Sequence, residues 1–216
     1  MPVAFWEMAR RRLEIVKPDV FMLAEADQPI HHNRAFDMSY AWHYHHLTNE
    51  IAQGREDISA LREYLREEYD KFPADDYRMG FATNHDENSW NGTISERYGE
   101  AADAMVVLSA TLFDMPLIYS GQEAGLDKRL RFFEKDTIEW GTYSKSDFYL
   151  SINTLHHEEE ALWNGEFGGF PVLLECESPE TFFGFTKSKD ETQIEVIINP
   201  VSYTTQNTPT THPVGE

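Results

Sequence analysis

Val20-Phe21-Met22-Leu23-Ala24, followed at once by Glu25, is the stretch on which the fold reading turns. Five apolar residues without alternation describe a strand buried on both faces, as in a parallel sheet under helices. Upstream, residues 4–16 predict a helix with Phe5, Met8, Leu13 and Val16 among basic neighbours, ended by Lys17-Pro18-Asp19. Downstream, a second strand is expected at 35–40. A helix over 56–72 places Ile58, Leu61, Leu65 and Phe72 near one face. A third strand at 79–83, an apolar helix over 97–112, a fourth strand at 116–119 and a helix over 146–161 complete the series. Short apolar runs alternating with amphipathic stretches are the pattern of an α/β protein with a parallel sheet.

From about residue 168 the pattern changes. Segments 171–174, 181–185 and 194–198 predict short antiparallel strands, and the Thr- and Pro-rich tail 203–216 predicts no packed element. The expected division is therefore an α/β unit over 1–165 and an antiparallel β unit over 166–216. A (β/α)8 barrel needs eight strand–helix units and roughly 250 residues. Four units are legible here, enough for a small α/β domain or for half of a barrel.

Composition narrows the function. The 216 residues are 41% apolar and 26% charged, a globular balance rather than that of a disordered chain. Lys and Arg number 18 against 38 Asp and Glu, a formal net charge of −20. Such a surface repels phosphate backbones and anionic lipid, so neither nucleic acid nor a membrane is an expected partner, while neutral ligands are not penalised. One cysteine, Cys176, excludes an internal disulfide and a Cys-rich zinc site. The first residues lack a signal-peptide pattern and no run reaches the ~18 apolar residues of a membrane span. The compartment stays open.

Two carboxylates stand directly after predicted strands: Glu25 after 20–24, and Asp86 in Phe81-Ala-Thr-Asn-His-Asp-Glu-Asn-Ser-Trp90. In barrels and open α/β sheets, functional side chains converge at these C-terminal strand ends. Burial beside apolar walls would raise the pKa of Glu25 toward that of a general acid. Asn84, His85 and Asp86 offer donors and acceptors suited to a polyhydroxylated ligand. Taken singly, an acidic residue after a strand also serves as a helix cap or a loop ion-pair partner.

Three motifs in order carry a resemblance. Phe21-Met-Leu-Ala-Glu25 resembles the fifth-strand motif of the α-amylase family of glycoside hydrolases. Ala82-Thr-Asn-His-Asp86 resembles the seventh, and Met115-Pro-Leu-Ile-Tyr-Ser-Gly-Gln-Glu123 is similar to the eighth. They lie roughly 60 and 30 residues apart. The resemblance covers about residues 1–165. It implies the C-terminal half of a TIM (β/α)8 barrel followed by a partial antiparallel β domain. It also implies a retaining hydrolase of α-glucans such as starch or maltodextrin. In that scheme Glu25 is the acid/base, Asp86 stabilises the transition state and His85 donates to hydroxyls of the same sugar. A transglycosylase of the same family would share Glu25 and Asp86, and a non-catalytic glucan-binding or scaffold protein is the rival from another class.

The family's nucleophilic aspartate sits in an Arg-x-Asp-x-Ala motif after the fourth strand. No such pattern occurs in residues 1–19, and Pro2-Val-Ala-Phe-Trp6 resembles sequence shortly beyond it. The resemblance thus implies that the nucleophile, strands one to four and the family's usual calcium ligands lie upstream. This chain would need no cofactor of its own and would be inactive alone. The N-terminal half of the same barrel would be its partner, and unpaired edges would favour self-association.

Two departures qualify the match. Glu-Asn-Ser-Trp90 follows Asp86 where many starch hydrolases carry an arginine, and the short stretch 25–36 predicts a turn in place of the fifth helix. Of the five tryptophans, Trp90, in the loop after Asp86, is the one placed to stack on a sugar face; Trp6, Trp42, Trp140 and Trp163 read as core or interface. His31, His32, His43, His45 and His46 read as a polar patch rather than a metal site, since no HExxH pattern or cysteine cluster accompanies them.

Overall fold

The computed structural model describes residues 1–73, 75–113 and 115–200, so the expected tail 203–216 lies outside the described residues. Strands Leu23–Ala24 (β1), Met38–Tyr40 (β2), Tyr77–Phe81 (β3) and Met115–Leu117 (β4) lie side by side in chain order. All are parallel, with Leu23 opposite Met38, Met38 opposite Tyr77 and Met79 opposite Met115. Parallel neighbours require crossovers, and helices occupy them. Helix Val3–Val16 (α1) precedes β1, and Trp42–Ala52 (α2) and Ala60–Lys71 (α3) join β2 to β3. Helices His85–Trp90 (α4), Ile94–Tyr98 (α5) and Ala102–Thr111 (α6) join β3 to β4, and Ser146–Glu158 (α7) follows. Strands Val172–Leu173 (β5), Phe183–Lys189 (β6) and Thr192–Ile198 (β7) form a separate antiparallel sheet.

Alternation along the parallel strands divides their side chains between two faces. Met38, Tyr40, Met79 and Phe81 pack together on one face with Trp42, Tyr77, Met115 and Leu117. Ser39, Arg78 and Gly80 alternate with them. The larger core lies among the helices, where Tyr44, Leu61, Tyr64, Leu65, Met105 and Leu108 meet Phe183, Phe185, Val196 and Ile198 of the antiparallel sheet. Arg62 of α3 also donates to the Leu174 carbonyl at 3.1 Å, tying α3 to the end of β5. Arg78 of β3 is a buried charge on the face of the sheet opposite the Met38–Phe81 cluster. Its guanidinium bonds Glu68 at 2.6 Å, Asp27 and the Ser39 hydroxyl, and lies 3.8 Å from the Phe72 ring centroid. Burial raises the Glu68 carboxyl above its usual value against the pull of Arg78.

Several sequence expectations need correction. The first strand is two residues long rather than five and is not buried on both faces: Ala24 is buried, but Phe21 and Leu23 are exposed. The reason is its edge position, with β2 as its one neighbour in the sheet. The expected helix over 97–112 is two helices broken at Gly99, whose φ of +52° lies outside helical space and suits glycine. Helix α2 has no counterpart in the hydrophobic pattern because its buried face includes His45, Thr48 and Asn49. The expected turn after Glu25 is present as a single 3-10 turn at Pro29–His31.

Gly80 sets how closely α6 approaches β3. A Cβ there would stand 2.6 Å from the Ser109 carbonyl oxygen and 3.0 Å from the Phe113 ring. Backbone cannot yield as a flexible side chain does, so Gly80→Ala is expected to cost about 1–3 kcal/mol, read as a lowered urea midpoint at unchanged slope.

Candidate active site at the parallel strand ends

The site is built on the turn between β3 and α4. Asn84 ends the turn in extended geometry and its side-chain oxygen accepts from the backbone N–H groups of Asp86 and Glu87, at 3.0 and 2.8 Å. It is an N-cap that satisfies two otherwise unpaired donors of a short helix. Asn84 is fully buried, and its side-chain oxygen is engaged in the cap. What the cap presents is the first turn of α4, carrying His85 and Asp86.

Glu25 leaves the end of β1 toward the same point. His85 Nε2 lies 3.4 Å from Glu25 Oε1 and 3.7 Å from Asp86 Oδ2. One ligating atom from each of the three residues falls within 4.8 Å of the others, so one small ligand can meet all of them. It is also the group of described residues with spacing that would admit a cation. The side chains of Glu25, His85 and Asp86 are 49%, 45% and 35% exposed. The apolar enclosure expected for Glu25 is therefore absent, again because β1 is an edge.

Tyr40, at the end of β2 between the two carboxylate-bearing strands, belongs to this site and was not picked out by motif. Burial raises its phenol pKa first, and the charges of Glu25 and Asp86 raise it further. Trp42 stacks on Tyr40 at 5.6 Å and meets Phe81 edge-on at 5.1 Å, forming the floor beneath. Position at a strand end was the available sequence signal for Tyr40. Trp90 is the last residue of helix α4 rather than part of a loop, because the Asn84 cap starts a helix directly after β3; it is exposed and contacts two residues that sequence reading missed, Phe132 at 5.0 Å and Phe133 at 5.9 Å.

Behind the turn lies a buried polar network. Arg97 donates to the Ala82 carbonyl at 2.7 Å, the Gly92 carbonyl at 3.0 Å and Asn49 Oδ1 at 2.9 Å. His45 Nε2 meets Glu87 Oε2 at 2.9 Å, and Glu87 Oε1 accepts from Asn91 at 2.9 Å. His45 is thus part of the support, not of the ligand surface. The His32 side chain is buried with its ring nitrogens at Ser39 (2.6 Å) and Asp76 (3.1 Å), while His46 stacks on Trp42 at 5.8 Å. The histidines follow separate structural duties.

Burial holds the His45 imidazolium below its usual 6.5, partly opposed by the Glu87 hydrogen bond. Burial raises the Glu87 carboxyl, but His45, Asn91 and Arg97 outweigh it and keep its pKa below 4.5. For His45 the unfolded chain binds the proton more readily, so stability falls as pH drops below 6.5. For Glu87 the stabilising contribution is present above 4.5 and is lost as pH falls through the folded value. His45→Gln is expected to flatten the decline in urea midpoint between pH 7 and 5 relative to wild type, by about the share that one histidine contributes.

With this geometry in place, comparison with known proteins is informative at the level of fold. No family model matches the chain, and no curated protein matches it. Solved structures do. A noncanonical maltogenic α-amylase of Thermotoga neapolitana superposes with a TM-score of 0.78 at 20% identity, over 93% of this chain and 46% of that one. A cyclomaltodextrinase gives 0.76 at 20% identity, over 91% and 34%. The cyclic α-maltosyl-(1→6)-maltose hydrolase of Arthrobacter globiformis gives 0.74 at 18% identity, over 92% and 46%. The chain spans less than half the length of each of these structures, and in fold it is similar to α-amylase family enzymes.

Proposed function

We propose that this chain is the C-terminal half of a TIM (β/α)8 barrel, residues 1–165, followed by part of an antiparallel β domain, residues 166–216, from a retaining hydrolase of α-glucans. The observation that carries the reading is the convergence of Glu25, His85 and Asp86 at the ends of parallel strands, within 4.8 Å of one another. The fold likeness supports it, since the similar structures include a maltogenic amylase and a hydrolase of a cyclic maltosyl-maltose.

In this reading Glu25, as the acid, protonates the glycosidic oxygen while a nucleophilic carboxylate attacks the anomeric carbon. Glu25, now the base, takes a proton from the water that releases the sugar. Asp86 holds sugar hydroxyls and favours the distorted ring, and His85 donates to hydroxyls of the same unit. Trp90 stacks on a neighbouring sugar face. Asn84 acts through the turn that it caps. Glu25 is half exposed here, and the N-terminal half of the barrel would supply the remaining wall of the site.

Among the described residues no further carboxylate joins the convergent group within the same 4.8 Å, and residues 1–19 hold no Arg-x-Asp-x-Ala pattern. The nucleophile, and calcium ligands if the parent uses them, are assigned to the N-terminal half. The 216-residue chain is expected to release no reducing sugar from maltodextrin. A longer chain with Arg-x-Asp-x-Ala ahead of Met1 is expected to hydrolyse it, and Glu25→Gln in that form to lower kcat by about 10²–10⁴-fold. Glu25-dependent hydrolysis by the short chain alone would refute the assignment of the nucleophile.

The sheet edges β1 and β4 and the side chains of Phe21 and Leu23 are open in the described chain. Light scattering is accordingly expected to show self-association at micromolar concentration, suppressed when the complementary half is added. A monodisperse monomer would count against an exposed barrel interior.

A further inference from the structure

We propose that Asp27 is a positioning residue for Glu25: clasped between Arg78 and the first turn of α2, its carboxylate fixes the turn that bears Glu25 against the strand that leads to Asp86. The proposal rests on the α-glucan reading above, with Glu25 as the acid/base, and adds a residue that the motifs do not single out. Glu25 needs such support. Its side chain is 49% exposed at the end of a two-residue edge strand that has β2 as its one neighbour in the sheet. His85 Nε2 lies 3.4 Å from it, beyond the usual length of an N–H···O bond. So short a strand leaves the direction of the residues after it weakly determined, while a general acid tolerates little displacement from the atom it protonates.

Two residues past Glu25, Asp27 offers one carboxylate oxygen to each of two elements. Oδ1 accepts from Arg78 Nη2, and Oδ2 accepts from the His43 backbone N–H at 2.8 Å. Both partners are donors, so a carboxylate satisfies both, where an amide would set its own NH2 group against one of them. Helix α2 begins without a side-chain cap: its N-cap is Ala41, and no acidic residue lies in its first turn. Asp27 therefore brings, from another segment, the acceptor and the negative charge that a helix N-terminus favours.

The anchor on the other side is itself fixed. Ala24, Ser39 and Arg78 lie in one row across β1, β2 and β3. Arg78 bonds the Ser39 hydroxyl on β2 as well as Asp27, while Glu68 of α3 accepts at 2.6 Å and the Phe72 ring centroid lies 3.8 Å away. Ser39 is held in turn by His32 at 2.6 Å, whose other ring nitrogen meets Asp76 at 3.1 Å. The Arg78 side chain is 6% exposed and that of Asp27 20%, so solvent and salt screen the pair little. Arg78 belongs to the strand whose end carries the Asn84–Asp86 turn. The Asp27–Arg78 pair thus joins the segment bearing Glu25 to the segment bearing Asp86 across β2, and neither reactive side chain takes part in the bond.

The test compares a poor and a good leaving group in the longer chain with Arg-x-Asp-x-Ala ahead of Met1. There kcat/KM reports cleavage of the glycosidic bond, for which maltodextrin needs a proton and a dinitrophenyl α-maltoside does not. Asp27→Ala is expected to lower kcat/KM on maltodextrin about 10–10²-fold and on the aryl maltoside less than about threefold, with Asp27→Asn between wild type and Asp27→Ala. A general loss of structure would lower both substrates alike. Glu25→Gln should show the same split more strongly. Equal losses in Glu25→Gln would overturn the acid/base reading and the positioning role with it. A split in Glu25→Gln with equal losses, or none, in Asp27→Ala would overturn the positioning role alone. The 216-residue chain gives a second measure that needs no activity. Amide hydrogen exchange over residues 23–28 should quicken in Asp27→Ala while that of β6 and β7 stays as in wild type, and unchanged exchange over 23–28 would also overturn the proposal.

Discussion

Arg97 holds the site in place. Its guanidinium, buried between α2 and the β3–α4 turn, donates to the Ala82 and Gly92 carbonyls and to Asn49, fastening both ends of the segment that bears His85 and Asp86. Unpaired buried carbonyls are costly, so these bonds restrict the turn to a narrow set of conformations. The adjoining pair His45–Glu87 fixes α4 from the other side. With the turn restrained, the Asn84 cap can orient the first helical turn, and the two reactive-type side chains face Glu25 across β2. The exposed chemistry depends on a buried cation that no ligand would touch.

The contrast between support and surface runs through the molecule. Behind the sheet, charges are buried and paired, as in the Arg78 cluster with Glu68 and Asp27. At the strand ends, Glu25, His85 and Asp86 remain substantially exposed and close together. Two carboxylates side by side in a strongly acidic protein disfavour an anionic ligand and favour a neutral one rich in hydroxyl donors. Aromatic rings around that point supply apolar faces without adding charge. Electrostatics and surface chemistry are thus both consistent with the α-glucan proposed above.

Legibility in the sequence followed the strength of periodic signals. Helix α3 was readable because Leu61 and Leu65 within it and Ile58 and Phe72 at its flanks recur at helical spacing, and all four are buried. Helix α2 was not, because a face of His45, Thr48 and Asn49 carries no hydrophobic period although it is buried as deeply. Asn84 shows a different limit. A cap and a ligand contact demand the same side-chain chemistry, so residue type alone did not separate them. Phe132 and Phe133 sit in an irregular, charged loop, where sequence gives no indication of which distant residue lies opposite.

Alone, the sequence determined the class of structure and the candidates for chemistry: parallel strands alternating with helices, a β-rich end, and Glu25 and Asp86 placed directly after strands. These depend on short-range pattern, on the period of apolar residues and on which residue follows a strand. The tertiary structure decided that Glu25, His85 and Asp86 converge, that Glu25 is open to solvent, and that Trp90 has Phe132 and Phe133 beside it. Those facts depend on distances between residues tens of positions apart. Such distances are set by how β1 to β4 stack and by which buried groups hold the connecting turns, a long-range balance that no local period encodes.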